Sequence, residues 1–235
     1  MADITVYSTI GVRSAADGLF ARFENTSGHK LAVTWGSAAM LVKRIESGET
    51  ADVLILSRAG IETMKQQGKI ASGSDVTLAS SGVGIAVKAG SPKPDISTPE
   101  ALKQTLLAAK SIAYSDSGSG TYLSTTLFSR LGVADQIAGK SRKVRGPPSG
   151  EPVAAVVARG EAEIGFQQVA ELIHVPGISF VGTIPAEVQP MFVFAGALAV
   201  TVRQPEAATA LLRFLASPEA APVISKAGLR PPSDR

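Results

Sequence analysis

Two rhythms of apolar residues take turns along this chain. Short apolar runs bounded by turn residues alternate with stretches in which apolar residues return every three or four positions. Ile4 to Tyr7, Lys30 to Trp35 and Val53 to Leu56 read as strands. After the first, Ala15, Ala16, Leu19, Phe20 and Phe23 share one helical face. Met40, Leu41 and Ile45 mark a shorter helix ending at Gly48, and Ile61, Met64 and Lys65 a third. Strand alternating with helix predicts an α/β architecture whose parallel strands need right-handed crossovers.

A second series begins after Ser80. Val83 to Lys88 reads as a strand, and Pro99 sits at the first turn of a helix running to about Ala108. Ile112 to Tyr114 is a strand, followed by a Ser/Gly loop and a helix from about Tyr122 to Leu131. The loop at Gly146 to Gly150 precedes a helix over Pro152 to Ala158. Glu163 to Phe166 is a strand and Ala170 to His174 a short helix. A last strand, Phe192 to Val200, leads into helices over Pro205 to Leu215 and Pro218 to Ser225. Glu46 to Val53 and Ala158 to Ile164 share a pattern of helix end, Gly-Glu and acidic strand entry, a weak echo between the halves.

Composition narrows the chemistry. Apolar residues make up 45% of 235 and charged residues 18%, which suits a globular core and excludes a disordered chain. The longest apolar stretch, Met191 to Val200, is half a membrane span. A net charge of +3 and few aromatics argue against nucleic acid. With no cysteine and only His29 and His174, thiol catalysis is excluded, and a metal site or a serine–histidine triad has almost no material. No cofactor is expected. The amino terminus enters a strand with no basic, apolar leader, so the expected location is cytoplasmic, or periplasmic after removal of a leader.

Four loops rich in small or hydroxylated residues directly precede helices: Ser8 to Ser14, Gly36 to Ala39, Ser115 to Thr121, and Pro148 to Glu151. Each alone suits an ordinary helix cap, but four together point to an anion site built from backbone N–H groups. Gly118–Ser119–Gly120 lacks the Lys-Ser/Thr of a P-loop, which disfavours nucleotides. Arg13 stands at a helix start, suited either to clamping a carboxylate or to a solvated surface. The run Lys140, Arg142, Lys143 and Arg145 reads as solvated loop charge that can also steer anions. Gln167 and Gln168 close a strand and offer amide donors and acceptors. Glu151 is an acid in the last of these loops, where a first-turn acid is expected in any case. No base stands out.

The order of these segments resembles the periplasmic molybdate-binding proteins of ABC transporters over nearly the whole chain. The matching pieces are Val6 to Phe23, Trp35–Gly36–Ser37 with Ile45 to Gly48, Ala51–Asp52–Val53, Gly120–Thr121–Tyr122, Arg159 to Ala162 with Gly165–Phe166, and Phe214 to Gly228. The resemblance implies a two-lobe type II periplasmic-binding-protein fold, each lobe a mostly parallel sheet flanked by helices, with the ligand in the inter-lobe cleft. Lobe 1 would take residues 1–80 and 198–235 and lobe 2 residues 81–197, with hinge strands near 76–85 and 191–200. It also implies a monomer and an ABC-transporter permease as partner.

Carried over residue by residue, the family's anion site falls on Thr9, Gly11, Ser37 and Ala38 in lobe 1, with Arg13 nearby. In lobe 2 it falls on Ser119, Gly150 and Gln168. Gly11 and Ala38 stand where the family has serines, and Gln168 where it has a tyrosine. Two hydroxyl donors are lost and an amide is gained. We therefore expect closure on a small anion, a di- or tricarboxylate in preference to molybdate. An alternative is an isomerase of an unsaturated tricarboxylate, similar to the aconitate isomerases. A second alternative is a molybdate or tungstate receptor.

Overall fold

The computed structural model describes residues 1–116, 118–147 and 149–232. Ser117 and Pro148, each in one of the loops singled out above, and residues 233–235 lie outside the described residues. The chain forms two compact units, residues 1–80 with 192–235, and residues 81–191.

In chain order, β1 (Asp3–Thr9) leads through a 3₁₀ turn, Ile10–Val12, into α1 (Arg13–Ser27). Gly28, left-handed at φ 73°, ends that helix, a conformation glycine adopts without penalty. β2 (Lys30–Gly36), α2 (Ala38–Glu46), β3 (Val53–Ser57), α3 (Arg58–Gln66) and β4 (Val76–Ser81) follow. Ser37 and Ser57 cap α2 and α3 by accepting from Met40 N and Gly60 N.

The second unit runs β5 (Val83–Lys88), α4 (Pro99–Ala108), β6 (Ile112–Ser115), α5 (Ser119–Tyr122), a π-helical segment Leu123–Leu127, α6 (Phe128–Arg130) and α7 (Ala134–Ile137). It continues with β7 (Ser141–Val144), α8 (Val153–Ala158), β8 (Ile164–Gln168), α9 (Val169–Leu172) and β9 (Ile178–Thr183). The chain then returns to the first unit through β10 (Phe192–Leu198), α10 (Pro205–Leu215) and α11 (Ala221–Lys226).

Each unit holds one five-stranded mixed sheet, ordered β2-β1-β3-β10-β4 and β7-β6-β8-β5-β9. In the first, β1, β2 and β3 are parallel and β10 runs antiparallel to β3. In the second, β6, β7 and β8 are parallel and β5 opposes both β8 and β9. Leu41, Leu54, Leu56, Ile61 and Met64 pack in one core of the first unit. In the second, Val153, Val156 and Val157 of α8 pack with Ala113 and Val144. A Cβ on Gly165 would lie 2.4 Å from Val157, so glycine lets α8 sit directly on β8.

Several expected elements are corrected. Residues 141–144 of the basic run form an edge strand, because Ser141 to Val144 pair with Ile112 to Ser115. Ile178–Thr183, unassigned from the sequence, is the opposite edge of the same sheet. The helix expected from Tyr122 starts at Ser119 and carries a π-helical stretch. The helix expected over Ala170 to His174 is Val169–Leu172, and the one over Pro218 to Ser225 is Ala221–Lys226. Gln167 and Gln168 belong to β8, which begins one residue later than expected.

Candidate functional site

In the first unit, register brings the expected residues to one edge. Thr9 pairs with Gly36, so the chain leaves β1 and β2 side by side at their carboxyl ends, where ligands bind in α/β sheets. Ser8, Thr9 and Gly11 are buried there. The Ser37 hydroxyl is occupied in capping α2, and Ala38 opens that helix half-buried. Arg13 lies with its guanidinium 5.2 Å from the Trp35 ring and 3.5 Å from Asp17, its side chain 53% exposed. Stacking on Trp35, which is next to the end of β2, holds the cation near this edge.

The second unit repeats the arrangement. Ser115 pairs with Val144 and Tyr114 with Phe166, so the loops after β6, β7 and β8 leave one edge. The Ser115 hydroxyl lies 3.4 Å from that of Ser119 and accepts from Gly120 N. A Cβ on Gly120 would fall 1.6 Å from the Ser115 carbonyl oxygen, so only glycine lets the helix start so close to the strand. Gly118 has φ 51°, and a Cβ there would meet Gln168 Nε2 at 3.5 Å. Gln168 is 9% exposed, and its Oε1 is buried without a hydrogen-bond partner among the described residues. The loop after β7 doubles back on itself: Glu151 N donates to the Arg145 carbonyl, and a Cβ on Gly150 would collide with that oxygen. Asp116 ties this loop to the one after β6 by accepting from Gly146 N. Ser119, Gly150 and Gln168 thus belong to three linked segments of one edge.

Other candidates are used elsewhere. Arg159 binds both carboxylate oxygens of Glu151, holding that group below the usual carboxylate range and making it a poor base. Arg142 pairs with Glu161, and Lys140 donates to the carbonyls of Leu107 and Ala109. Arg145 has no ion pair among the described residues. His29 Nδ1 accepts from Ala2 N. Among the described residues no group of three His, Asp or Glu side chains is placed to hold a metal ion, and no helix is long and apolar enough to cross a membrane.

Sequence reasoning missed Glu171. Gln167 Nε2 donates to its carboxyl, and Gln167 Oε1 accepts from Val153 N at the start of α8. Burial of the carboxyl pushes its pKa up to about 7, against a small opposing effect of Gln167. The one sequence signal is the four-residue spacing from Gln167, which is too common to single it out.

The family model for bacterial extracellular solute-binding proteins matches residues 4–230. The chain belongs to that family. Among curated proteins it is 42% identical over 233 residues to the aconitate isomerase of a Pseudomonas species, covering 97% of this chain and 87% of that protein. Of solved structures, the substrate-binding domain of a putative molybdenum ABC transporter from Clostridium difficile superposes with TM-score 0.79 at 17% identity, covering 99% of this chain and all of that one. The periplasmic molybdate-binding protein of Azotobacter vinelandii gives 0.79 at 20% identity, covering 98% and 100%. These likenesses establish a type II periplasmic-binding-protein fold.

Proposed function

We propose that this solute-binding protein is an isomerase of an unsaturated tricarboxylate, acting on aconitate by moving a double bond. The observation that carries the reading is the 42% identity to an aconitate isomerase along 97% of the chain. The expected residues Thr9, Gly11, Ser37 and Ala38 on the edge of the first unit, and Ser119, Gly150 and Gln168 on the edge of the second, offer backbone and amide groups to a ligand. Arg13 and Arg145 supply charge. Carboxylates need such cations, since charge-assisted bonds are roughly twice as strong as neutral ones. The reaction is a 1,3-proton shift: a base takes a proton from the methylene carbon, the electron pair moves the double bond, and the proton returns to the former vinyl carbon.

Incubation with cis- and trans-aconitate, followed by NMR, tests the reading; interconversion is the expected result. A second reading, favoured by family membership, is a carboxylate receptor working with a transporter permease. Thermal stabilisation by aconitate with an unchanged spectrum would select it, and stabilisation by molybdate alone would overturn both. Arg13→Ala weakens aconitate binding by about 1.5–3 kcal/mol, the value of a charge-assisted bond, and leaves molybdate binding nearly unchanged. Isothermal titration with both ligands checks this, and equal loss for the two would remove Arg13 from the site.

A further inference from the structure

Each of the two sheets ends in two edge strands, and an edge left bare is a template for another chain. Three of these edges are blunted. Beyond β4, Arg230 exchanges backbone hydrogen bonds with Ser80 in both directions. β7 is short and carries exposed Arg142 and Lys143. The pairing of β9 with β5 slips at Ile85 and Ala86. β2 differs. It pairs with β1 residue for residue from Lys30 to Gly36, without a shift, and its one charge is Lys30 at the first position. The elements packed most closely against it are β1 and α1, and among the described residues no strand pairs with its outer side. Register fixes which groups face outward. Lys30 N donates to Ala2 O, toward β1, so the N–H and C=O groups of the alternate residues Leu31, Val33 and Trp35 point away from the sheet. Glu24 Oε1 accepts from Leu31 N at 2.8 Å and covers one end of the edge. Among the described residues the outward groups of Val33 and Trp35 have no backbone partner.

We propose that β2 pairs with β2 of a second copy of this chain, antiparallel about a two-fold axis at Thr34, in place of the monomer that the family resemblance implies. In this register Val33 of one copy lies opposite Trp35 of the other and exchanges both N–H···O bonds with it, and the axis repeats the pair. Thr34 meets Thr34, and Ala32 meets Gly36. Aromatic with β-branched and threonine with threonine are favourable cross-strand neighbours, and no like charges face each other, because Lys30 lies outside the paired stretch. A register centred on Val33 sets Leu31 opposite Trp35 and needs Glu24 to release Leu31 N, so the Thr34 register is the one that leaves existing bonds intact. Pairing turns the two copies of the first sheet into one continuous sheet and removes the bare edge.

Sedimentation velocity of the full chain, without ligand, tests the pairing. So short an edge belongs at the weak end of association, and dimer is expected to grow in between about 1 and 300 µM. Thr34→Lys and Thr34→Glu each set like charges opposite one another at the axis, and each is expected to weaken the dimer at least about fivefold with an unchanged circular dichroism spectrum. An equal mixture of the two variants restores the dimer, since opposite charges then meet. If circular dichroism shows either variant unfolded, Val33→Pro decides. It removes a donor that faces outward in the single copy, which an edge strand tolerates, and it is expected to raise the dimer dissociation constant at least about tenfold. A wild-type chain that stays monomeric up to about 300 µM overturns the pairing. So does a dimer whose dissociation constant stays within twofold of wild type in the folded variants, which then forms on another surface. Self-pairing does not depend on the isomerase reading: a chain that dimerises but leaves aconitate unchanged fails only the latter, and a monomer that converts aconitate fails only the former.

Discussion

The raised pKa of Glu171 has a thermodynamic signature that needs no substrate. In the unfolded chain this carboxyl titrates near its ordinary value of 4.5, and in the folded chain near about 7. Between those values the folded state binds more protons than the unfolded one, so stability falls as pH rises from 4.5 to 7. Below 4.5 both states are protonated and the burden vanishes; above 7 both are ionised and it is complete. At 1.36 kcal/mol per pKa unit the full burden is about 3 kcal/mol. Glu171→Gln keeps the shape and can still accept from Gln167 through its amide oxygen, but it cannot ionise. It should match wild type near pH 4.5 and exceed it by about 3 kcal/mol at pH 8.5. Urea unfolding followed by circular dichroism at several pH values reads the difference, with an expected midpoint shift of about 1–3 M at pH 8.5. A difference constant across pH, or a loss of stability that grows with pH, would refute the reasoning.

Two further outcomes follow from particular contacts. Asp52 is fully buried and accepts from Thr5 N, Thr5 Oγ1 and Arg203 N, so Asp52→Ala strands two backbone donors and should cost about 3 kcal/mol in urea unfolding. Burial opposes its ionisation, but these hydrogen bonds prevail and lower its pKa; its stabilisation is present above pH 3.8 and is lost as pH falls through the depressed value. Gly120→Ala forces a methyl into the Ser115 carbonyl, and should lower Tm and abolish stabilisation by ligand in a thermal-shift assay, whereas Gly139→Ala, which meets nothing within 4 Å, should leave ligand stabilisation intact.

How much of this was legible depends on the kind of signal each residue carries. β5 and α10 were bounded correctly from sequence, because Val83 to Lys88 is a clean apolar run and Pro205 opens an apolar face that ends at Leu215. β7 was hidden: Ser-Arg-Lys-Val has the composition of a loop, and only pairing with Ile112–Ser115 makes it a strand. The glycine-rich loops were visible because the chain needs glycine at Gly118, Gly120 and Gly150 for steric reasons that composition records. Glu171 was not, since one acid in a four-residue helix has no periodicity. Its burial arises from what α9 packs against, β5, β8 and α8. The partners of Glu151 and Arg13 were equally beyond reach, being set by side-chain direction.

The discontinuity of the first unit bears on the order in which the chain acquires structure. β10 lies between β3 and β4, yet it is synthesised more than a hundred residues after them. A nascent chain of the first 80 residues therefore lacks the strand that joins β4 to the rest of its sheet, and leaves the β3 edge unpaired. The second unit is one continuous segment, and every strand of its sheet is available once Thr183 has emerged. On the ribosome the later-encoded unit can close first, while the earlier-encoded one waits for Phe192–Leu198. Pulse-labelling of stalled chains should then show protection at residues 81–191 before residues 1–80, the reverse of the usual amino-terminal-first sequence.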